Sequence, residues 1–508
     1  VRNDSFNWNT TLNEAMDKTG GNASFVVSAG DQIQTTKKKS PGKSEMTSEI
    51  EYTGYLSPDV LKSLPVATTV GNHDADNANY TYHFNTPNSS DLGSNGVVGG
   101  DYYFTYGNTL FMMLNTQDTN AAEHKQFMEQ AIAANPSCTW RVVTLHQDIY
   151  GSAEHSNEPE ITNLRYTLVP YFEANDVDVV LTGHDHAYSR THILEGGHKT
   201  VEYTDDEFDA ELKKDMDAGE NPATRYEAPA NISADSREPA DVAYLNYLNA
   251  VMDKDAVEDT EKGETVVNPD GILYMTANSS SGSKYYDLVP RMQSYIANRW
   301  QEDVPTYSVI DVTDNTFTIN TYRTDNDQKI DETFTIKKGV TEDIKSASVG
   351  KVKNQVYTGK QIQPALKVTL NGKTLKAGKD YTVTYTDNKN TGLAKATING
   401  TGKYTGTQKV TFKIVPEKAV LKTVKAGKSG TATVTIGKAG GKVSGYAIQV
   451  STDSSFKKVT TYRTAKTTYT LKNLSKGKTY YVRVKAFTKV SDKNVYGAAS
   501  KTIKVKAK

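Results

Sequence analysis

The stretch Val177-Asp178-Val179-Val180-Leu181-Thr182-Gly183-His184-Asp185-His186 joins an apolar run to a turn that carries two histidines. The apolar run, rich in valine and followed by a glycine, predicts a short strand. A helix predicted over 161–174 precedes it, and another over 121–134 precedes a similar run at 140–145. Strands that alternate with helices predict an α/β layered fold, in which functional sites form at the carboxyl ends of the strands.

Three further polar motifs follow apolar runs in the same manner. They are Gly30-Asp31 after the run at 25–29, Gly71-Asn72-His73-Asp74 after that at 66–70, and His146 after that at 140–145. With His184 and His186, these motifs supply a carboxylate, a side-chain amide and three imidazoles. Mixed nitrogen and oxygen ligands suit two divalent or mixed-valence ions of Fe, Mn or Zn, and a two-metal site indicates phosphate ester hydrolysis.

The spacing within two of the motifs predicts roles for single residues. His184 and His186 are two residues apart, and in extended backbone this spacing points both side chains the same way. His73 follows the metal-ligand candidate Asn72 and is predicted to face the substrate, where it could protonate a leaving alkoxide. Asp74 is predicted to hold the His73 ring in one orientation.

Two other residues are candidates for substrate binding. His155 lies nine residues past His146 in a Gly-Ser-Ala-Glu-His loop, and either contacts substrate or is structural. Arg190 lies four residues past His186 and either orients a loop of the metal site or binds phosphate.

Composition limits the classes of partner. The 508 residues carry a net charge of −1, which gives the chain as a whole no pull toward nucleic acid or anionic membrane, so no nucleic acid is expected as a structural partner. The sequence has no apolar run of 18 residues, so no membrane span is predicted. The single cysteine, Cys138, excludes an intramolecular disulfide.

The length suggests about three domains. A shift toward Lys, Thr, Gly and Val places a boundary near 338–346, so residues 1–338 are predicted to form the catalytic domain. Within it, the acidic segment 201–262 reads as an insertion with one or two helices, either a surface embellishment or a lid beside the site. Residues 347–415 and 417–508 show short alternating strands with frequent turns, which predicts two all-β sandwich modules.

The motifs resemble those of the calcineurin-like metallophosphoesterases and, within them, of the purple acid phosphatase group. The family pattern is Asp-x-Gly, Gly-Asp-x-x-Tyr, Gly-Asn-His-Asp/Glu, Val-x-x-His and Gly-His-x-His. This chain matches at 30–31, 71–74, 143–146 and 183–186, and the stretch 183–190 extends the likeness to Gly-His-Asp-His-Ala-Tyr-Ser-Arg. The resemblance covers about residues 1–338 and implies a layered β-sandwich flanked by helices.

The resemblance also implies a role for each predicted ligand. Asp31 would bridge the two metals. One metal would be bound by Asn72, His146 and His184, and the other by His186. His73 would be the proton donor or a phosphate-binding residue.

Two departures from the family pattern change these expectations. The tyrosine that gives the group its purple Fe(III) colour falls at Gln34, which favours Mn, Zn or Fe(II). The first Asp motif is missing, because only nine residues precede the helix predicted over 10–18 and Asp4 follows no apolar strand. We therefore expect the first strand and its metal ligand to lie upstream of Val1.

The two β modules resemble modules of bacterial surface proteins. Val356-Tyr357-Thr358-Gly359-Lys360 and two Gly-Lys turns, at 378–381 and 402–406, resemble a bacterial Ig-like repeat. The stretch 474–484 resembles a fibronectin type III strand pair, with Tyr480 as the tyrosine corner. Such modules imply export from a Gram-positive-type bacterium, where they act as spacers or contact cell wall or glycan.

These features favour a secreted or cell-surface bacterial two-metal phosphatase that hydrolyses phosphomonoesters by attack of a metal-bridging hydroxide. A phosphodiesterase or nucleotidase would use the same ligands, because the shape of the pocket decides between them. A surface adhesion protein with a degenerate phosphatase domain is the alternative from a different class.

Overall fold

The structure is a computed structural model of the chain. It describes residues 5–36, 42–197, 204–218, 232–233, 235–253, 256–258 and 263–508. The chain forms two compact units, residues 1–338 and residues 339–508. Among the described residues, no helix has the length and apolar character needed to cross a membrane.

The α-helices of the first unit connect its strands. They are α1 (Ser5–Lys18), α2 (Ser44–Tyr55), α3 (Asn79–His83), α4 (Ala121–Ala134), α5 (Pro159–Ala174), α6 (Asp205–Ala218) and α7 (Pro239–Met252). The helix predicted over 121–134 has those bounds as α4. The helix predicted over 10–18 begins earlier, at Ser5, because Trp8 is buried and stacks on Tyr55 of α2 with ring centroids 5.3 Å apart.

Within the described residues, the strands of the first unit form three sheets. They are β1 (Val26–Ser28), β2 (Val66–Thr68), β3 (Tyr102–Tyr106), β4 (Thr109–Met113), β5 (Trp140–Thr144), β6 (Val179–Thr182), β7 (Tyr188–Leu194), β8 (Val257–Glu258), β9 (Thr265–Val267), β10 (Ile272–Thr276), β11 (Ile296–Trp300), β12 (Thr306–Val312), β13 (Thr316–Arg323) and β14 (Phe334–Lys337). The largest sheet has the order β11-β7-β10-β6-β5-β4-β3, with β8 on β7, and its β4, β5, β6 and β10 run parallel. A second sheet has the order β12-β13-β14-β9, and β1 pairs in parallel with β2.

Apolar side chains cover both faces of the large sheet. On one face Met112 and Val143 pack with Phe127 of α4 in a core that also includes α5. On the other face Phe111 packs in a core with Phe317 of the second sheet. Because both faces are buried, the parallel strands read as continuous apolar runs. This arrangement confirms the predicted α/β layered fold.

The described part of the predicted insertion contains α6 and α7. The end of α7 packs on the core, because the carbonyl of Ala250 accepts hydrogen bonds from the Tyr166 hydroxyl at 2.7 Å and from Arg165 Nη1 at 3.3 Å. Residues 201–203, 219–231, 234, 254–255 and 259–262 of this segment lie outside the described residues. Embellishment and lid both stay open as interpretations.

The second unit consists of strands joined by short turns. They are β15 (Glu342–Asp343), β16 (Ser348–Val349), β17 (Gln355–Val356), β18 (Val368–Leu370), β19 (Lys373–Thr374), β20 (Tyr381–Thr386), β21 (Gly392–Gly400), β22 (Tyr404–Thr405), β23 (Thr407–Val415), β24 (Val420–Ala426), β25 (Ala432–Gly437), β26 (Gly445–Ser451), β27 (Thr460–Thr464), β28 (Thr468–Leu471), β29 (Thr479–Val490), β30 (Lys493–Tyr496) and β31 (Ile503–Lys506). In the part of the unit that ends with β23, the main sheet has the order β17-β23-β21-β20. The part that begins with β24 has two sheets that face each other. One has the order β24-β25-β28, and the other has the order β27-β26-β29-β30 with β31 paired to β29. Inward residues of these last two sheets, such as Val434 and Ile448, share one core. The Tyr480 hydroxyl accepts a hydrogen bond from the Ser475 amide at 2.9 Å, which is the contact expected of a tyrosine corner.

Candidate active site

The four polar motifs lie at the carboxyl ends of β1, β2, β5 and β6 and meet in one cluster. His146 is at its centre. Its Nε2 lies 3.1 Å from Asn72 Oδ1, 3.1 Å from His184 Nδ1 and 3.4 Å from Asp31 Oδ1. Four of the five predicted metal ligands therefore come together, although 153 positions separate the first from the last in the sequence.

Two glycines make this close approach of the strand ends possible. A Cβ at Gly30 would lie 2.9 Å from the His146 ring carbon Cγ, and a Cβ at Gly71 would lie 2.9 Å from Asp31 Cγ. Gly30 also has a φ of +92°, a conformation that residues with a Cβ rarely adopt. Glycine at these positions allows the two loops to pack directly against His146 and Asp31.

The hydrogen bonds of His146 indicate why a cation fits this cluster. Its Nδ1 lies 2.7 Å from the carbonyl oxygen of Ala29, so Nδ1 carries the proton and Nε2 presents a lone pair. Around that lone pair lie the Asn72 oxygen and the Asp31 carboxylate, which can only accept, and His184 Nδ1. Acceptor atoms this close to one another need a positive charge between them. A backbone carbonyl on the other ring nitrogen is also the usual partner of a metal-binding histidine.

The cluster is an incomplete set of ligands. Across the part of the chain that the structure describes, no group of three His, Cys, Asp or Glu side chains has the arrangement of a metal site. The fit of a cation therefore rests on the chemistry of the donor atoms. Backbone strain supports a functional role, because Asp31 (φ +54°) and His184 (φ +73°) both adopt left-handed conformations.

Electrostatics in the cluster favour an ionised Asp31 carboxylate and a neutral His184 imidazole. Burial alone would raise the pKa of Asp31, but the positive charges that His146, His73 and His184 can carry lower it well below its usual range. Burial and the neighbouring His146 hold the pKa of His184 well below its ordinary value. A charged Asp31 and a neutral His184 are the protonation states that bind metal ions.

His73 lies beside the cluster, and its orientation differs in one respect from the prediction. Its Nε2 is 3.8 Å from Asp31 Oδ2, and its Nδ1 is 2.7 Å from the carbonyl oxygen of Gln34. Gln34, and not Asp74, therefore orients the ring. Asp74 instead accepts hydrogen bonds from the Tyr52 hydroxyl at 2.9 Å and the Gly71 amide at 3.0 Å.

The prediction for Asp74 was wrong because adjacent residues in a tight turn point in different directions. Asp74 is buried under the turn of 71–74 and closes it by accepting from the Gly71 amide. Burial and the nearby Asp31 carboxylate raise the pKa of Asp74 to about 7. Its role is to hold the turn that carries Asn72 and His73.

His186 is near the cluster but is oriented differently from His184. The expectation of extended backbone at 183–186 was wrong, because His186 (φ +47°), like His184, is left-handed and the segment is a bend. His186 Nδ1 lies 2.8 Å from the carbonyl oxygen of Lys284, and its ring centroid is 5.1 Å from that of Tyr286. Its predicted binding of a second metal stays a prediction.

Tyr286 is a site residue that the motifs did not indicate. Its ring lies edge-on to His155, with centroids 4.4 Å apart, and next to His186. The exposed Lys284 side chain contacts the Tyr286 hydroxyl. The only signal for it in the sequence was a Lys-Tyr-Tyr run after a loop of serines and glycine at 279–283.

His155 lies beside the cluster, and its predicted contact with substrate stays a prediction. Its ring centroid is 5.7 Å from that of His184. Although burial acts to lower it, the hydrogen bond with Glu158 at 2.6 Å and the charge of Asp185 raise the pKa of His155. The backbone amide of His155 donates to Asp185 Oδ1 at 3.0 Å, so the turn that follows His184 also fixes the His155 loop.

Arg190 lies in the core on β7 and away from solvent. Its Nε donates to Asp331 Oδ2 at 2.6 Å and its Nη2 to Asp331 Oδ1 at 3.2 Å. Its guanidinium also stacks over Phe334 of β14. This two-pronged ion pair argues against phosphate binding by Arg190, because its guanidinium is already engaged. The orientation of a metal-site loop by Arg190 stays a prediction.

A cavity of about 840 Å³ reaches the cluster from within the first unit. Consecutive residues 22–31 along β1 line one wall and residues 306–314 along β12 line another, and His146 and His184 stand at its end. The expected strand with a further Asp ligand ahead of α1 stays a prediction.

Comparisons with known proteins agree with this description. Residues 6–188 match the calcineurin-like phosphoesterase family, and residues 421–502 match the fibronectin type III domain family. Two uncharacterized proteins of Mycobacterium tuberculosis strains are 26% identical over 156 residues, which is 26% of this chain and 29% of theirs. The matched stretch thus spans less than a third of these relatives.

Solved structures with similar folds include a plant enzyme and a single animal domain. Purple acid phosphatase from yellow lupin seeds is 13% identical, covers 65% of this chain and 49% of its own, and has a TM-score of 0.37. The FN5 domain of Drosophila Lar is 18% identical over 18% of this chain and 97% of its own, with a TM-score of 0.16.

The first unit therefore contains a calcineurin-like phosphoesterase domain. The second unit contains a fibronectin type III domain near its end. The family recognised from the motifs is confirmed by the sequence match over residues 6–188, and the fibronectin type III module by that over residues 421–502. The bacterial Ig-like assignment of 347–415 stays a prediction.

Proposed function

We propose that residues 1–338 form a two-metal phosphatase that hydrolyses phosphomonoesters. The observation that carries the proposal is the convergence of the Asp31 and Asn72 side-chain oxygens, which can only accept, and of His184 Nδ1 on the unprotonated Nε2 of His146. Such a set of oxygen and nitrogen donors suits Fe, Mn or Zn. When bound, the cations would supply a nucleophile at neutral pH and neutralise the charge of the phosphoryl oxygens.

His73 is the proposed proton donor. Because the Gln34 carbonyl holds its Nδ1 proton, only Nε2 gains or loses a proton during a reaction. Nε2 faces Asp31 at 3.8 Å and so lies beside the metal-ligand cluster, within reach of a leaving group bound there. Replacing His73 by Ala should keep the fold and lower turnover by about 10²- to 10⁴-fold, as for loss of a general acid.

His155 and Tyr286 are the proposed contacts to the substrate. The His155 ring lies next to that of His184, and the Tyr286 ring lies next to that of His186. An imidazole with a raised pKa can hold a phosphoryl oxygen, and an aromatic ring can pack on the ester group.

Two assays test this function. Turnover of p-nitrophenyl phosphate should exceed that of bis-p-nitrophenyl phosphate in the presence of Mn²⁺, Zn²⁺ or Fe²⁺. Faster cleavage of the diester would replace the proposal by a phosphodiesterase or nucleotidase, which uses the same ligands. Asp31→Asn should lose bound metal, whereas His83→Ala, a histidine hydrogen-bonded to Glu49 outside the cluster, should keep it.

Metal content separates an enzyme from an adhesion protein with a degenerate site. Metal analysis of the purified protein should give at least one bound ion per chain. A lower content, together with no turnover, would favour the binding-protein alternative. We further propose that the protein is secreted or bound to a bacterial surface; the presence of the fibronectin type III module supports this.

A further inference from the structure

The two units carry opposite charges. Residues 339–508 contain 34 Lys and Arg residues against 7 Asp and Glu residues, a formal charge of +27, whereas residues 1–338 contain 25 against 53, a formal charge of −28. The net charge of −1 for the whole chain hides this division. The expectation of no electrostatic pull, drawn from the net charge, therefore does not hold for the second unit.

The positive charge of the second unit is on its surface. Of its 32 lysines, 30 are exposed, and only 7 carboxylates are present in the unit to neutralise its 34 cations. Excess like charge destabilises a compact state through self-repulsion. Charge of this density is most simply explained by an anionic partner.

The main sheet of residues 381–415 concentrates this charge on one face. The register places Lys395 of β21 opposite Thr411 of β23, with Lys409 and Lys413 two positions to either side of Thr411. Because alternate residues of a strand share a face, all three lysines lie on the solvent side, while Ala396 and others are buried. Thr382, Thr384 and Thr386 of β20 complete this lysine–threonine face, and β20, β21 and β23 contain no acidic residue.

The chemistry of this face limits its partner. Lysine binds phosphate as a point charge, and arginine, whose planar fork binds carboxylates and phosphates bidentately, occurs only twice in the unit. Threonine hydroxyls can hydrogen-bond to phosphate and to polyol hydroxyls. The lysine–threonine face contains no aromatic side chain on which a base could stack, because Tyr381 and Tyr385 of β20 lie on the opposite face. The exposed large apolar side chains of the unit are scattered and aliphatic, so acyl chains have no continuous apolar surface to meet.

We propose that the lysine–threonine face of β20, β21 and β23 binds a linear polymer of phosphodiester-linked polyol units. Each lysine contacts one backbone phosphate, and the threonines contact the intervening hydroxyls. Binding releases counterions from the polymer and therefore weakens steeply as salt concentration rises. The second unit thereby holds the acidic first unit at an anionic polymer that the first unit would by itself repel.

Binding of the full chain to fluorescently labelled poly(glycerol phosphate) tests the proposal. The variant K395Q/K409Q/K413Q should lose about 10- to 100-fold in affinity at low salt and show a shallower dependence on salt. The variant K457Q/K458Q/K466Q removes the same charge from exposed positions of the fibronectin type III module and should stay within about twofold of the original. Unchanged thermal unfolding of both variants checks that the sheets are intact.

Several results would overturn the proposal. Equal losses in the two variants would mean that charge acts without a defined face. Tighter binding to single-stranded DNA or to phosphatidylserine vesicles than to poly(glycerol phosphate) would assign the surface to a nucleic acid or a membrane. Salt-sensitive self-association without polymer binding, measured by sedimentation, would mean that the basic unit pairs with the acidic unit of another copy. None of these results depends on phosphatase activity.

Discussion

Substitution of Gly71 by Ala should impair the function of the cluster while the first unit remains folded. The added Cβ would lie 2.9 Å from Asp31 Cγ and closer still to Asp31 Oδ1 and to the Asp31 amide nitrogen. Carbon atoms in contact normally lie about 3.5–4.0 Å apart. Asp31 must therefore retreat by roughly 0.6–1 Å, and a side-chain rotation is not enough because its backbone is also in the way.

This displacement moves the carboxylate relative to His146, which now lies 3.4 Å from it. A misplacement of about 1 Å in a catalytic arrangement can cost on the order of 10²-fold in rate. Overpacking a filled interior typically costs about 1–3 kcal/mol. At an unfolding entropy of about 2.1 cal/mol/K per residue, this corresponds to a fall in Tm of roughly 1–4 °C for residues 1–338, so the protein should remain folded at 25 °C.

The measurements are turnover of p-nitrophenyl phosphate, bound metal and Tm. Gly54→Ala is the matched control, because its Cβ would meet only the Ser5 side chain, with Cβ at 3.7 Å and Oγ at 3.9 Å, and helix α2 gains from replacement of a glycine. The control should keep turnover and match or slightly raise Tm. If Gly71→Ala keeps full turnover and metal content, then metal binding and turnover do not depend on the position of Asp31, and the proposed role of the cluster is refuted.

Further predictions concern residues outside the metal cluster. Asp331→Ala should cost about 3–5 kcal/mol in the free energy of unfolding of the first unit, because Arg190 would be left as an unpaired buried charge; a change below about 1 kcal/mol, measured by urea denaturation, would contradict this. Tyr480→Phe removes the acceptor for the Ser475 amide and should destabilise the fibronectin type III module by about 1 kcal/mol, without any change in turnover. Tyr286→Ala should raise KM for an aryl phosphate more than it lowers kcat. A fall in kcat with KM unchanged would instead assign Tyr286 to the chemical step.

The sequence predicted the layered fold because its two signals, continuous apolar runs for strands and helical periodicity for helices, are both local. Strand β5 is a continuous apolar run, since both of its faces are covered, and α4 has its predicted bounds because its residues repeat with helical period. The polar motifs could be placed in a common site without knowledge of distances, because the carboxyl ends of parallel strands lie at the same edge of a sheet. Asp31, Asn72, His146 and His184 do meet there.

The tertiary structure decided every feature that depends on which groups pack together from distant parts of the chain. Gln34 orients His73 from 39 positions away, and Asp331 engages Arg190 across 141 positions. The direction of His186 depends on a left-handed bend, which the spacing of two histidines does not reveal. Composition by itself contained the +27 charge of residues 339–508, but only strand register shows which lysines share a face. The physical reason is the same in each case: local sequence fixes backbone periodicity, whereas side-chain partners are fixed by the packing of elements that are far apart in sequence.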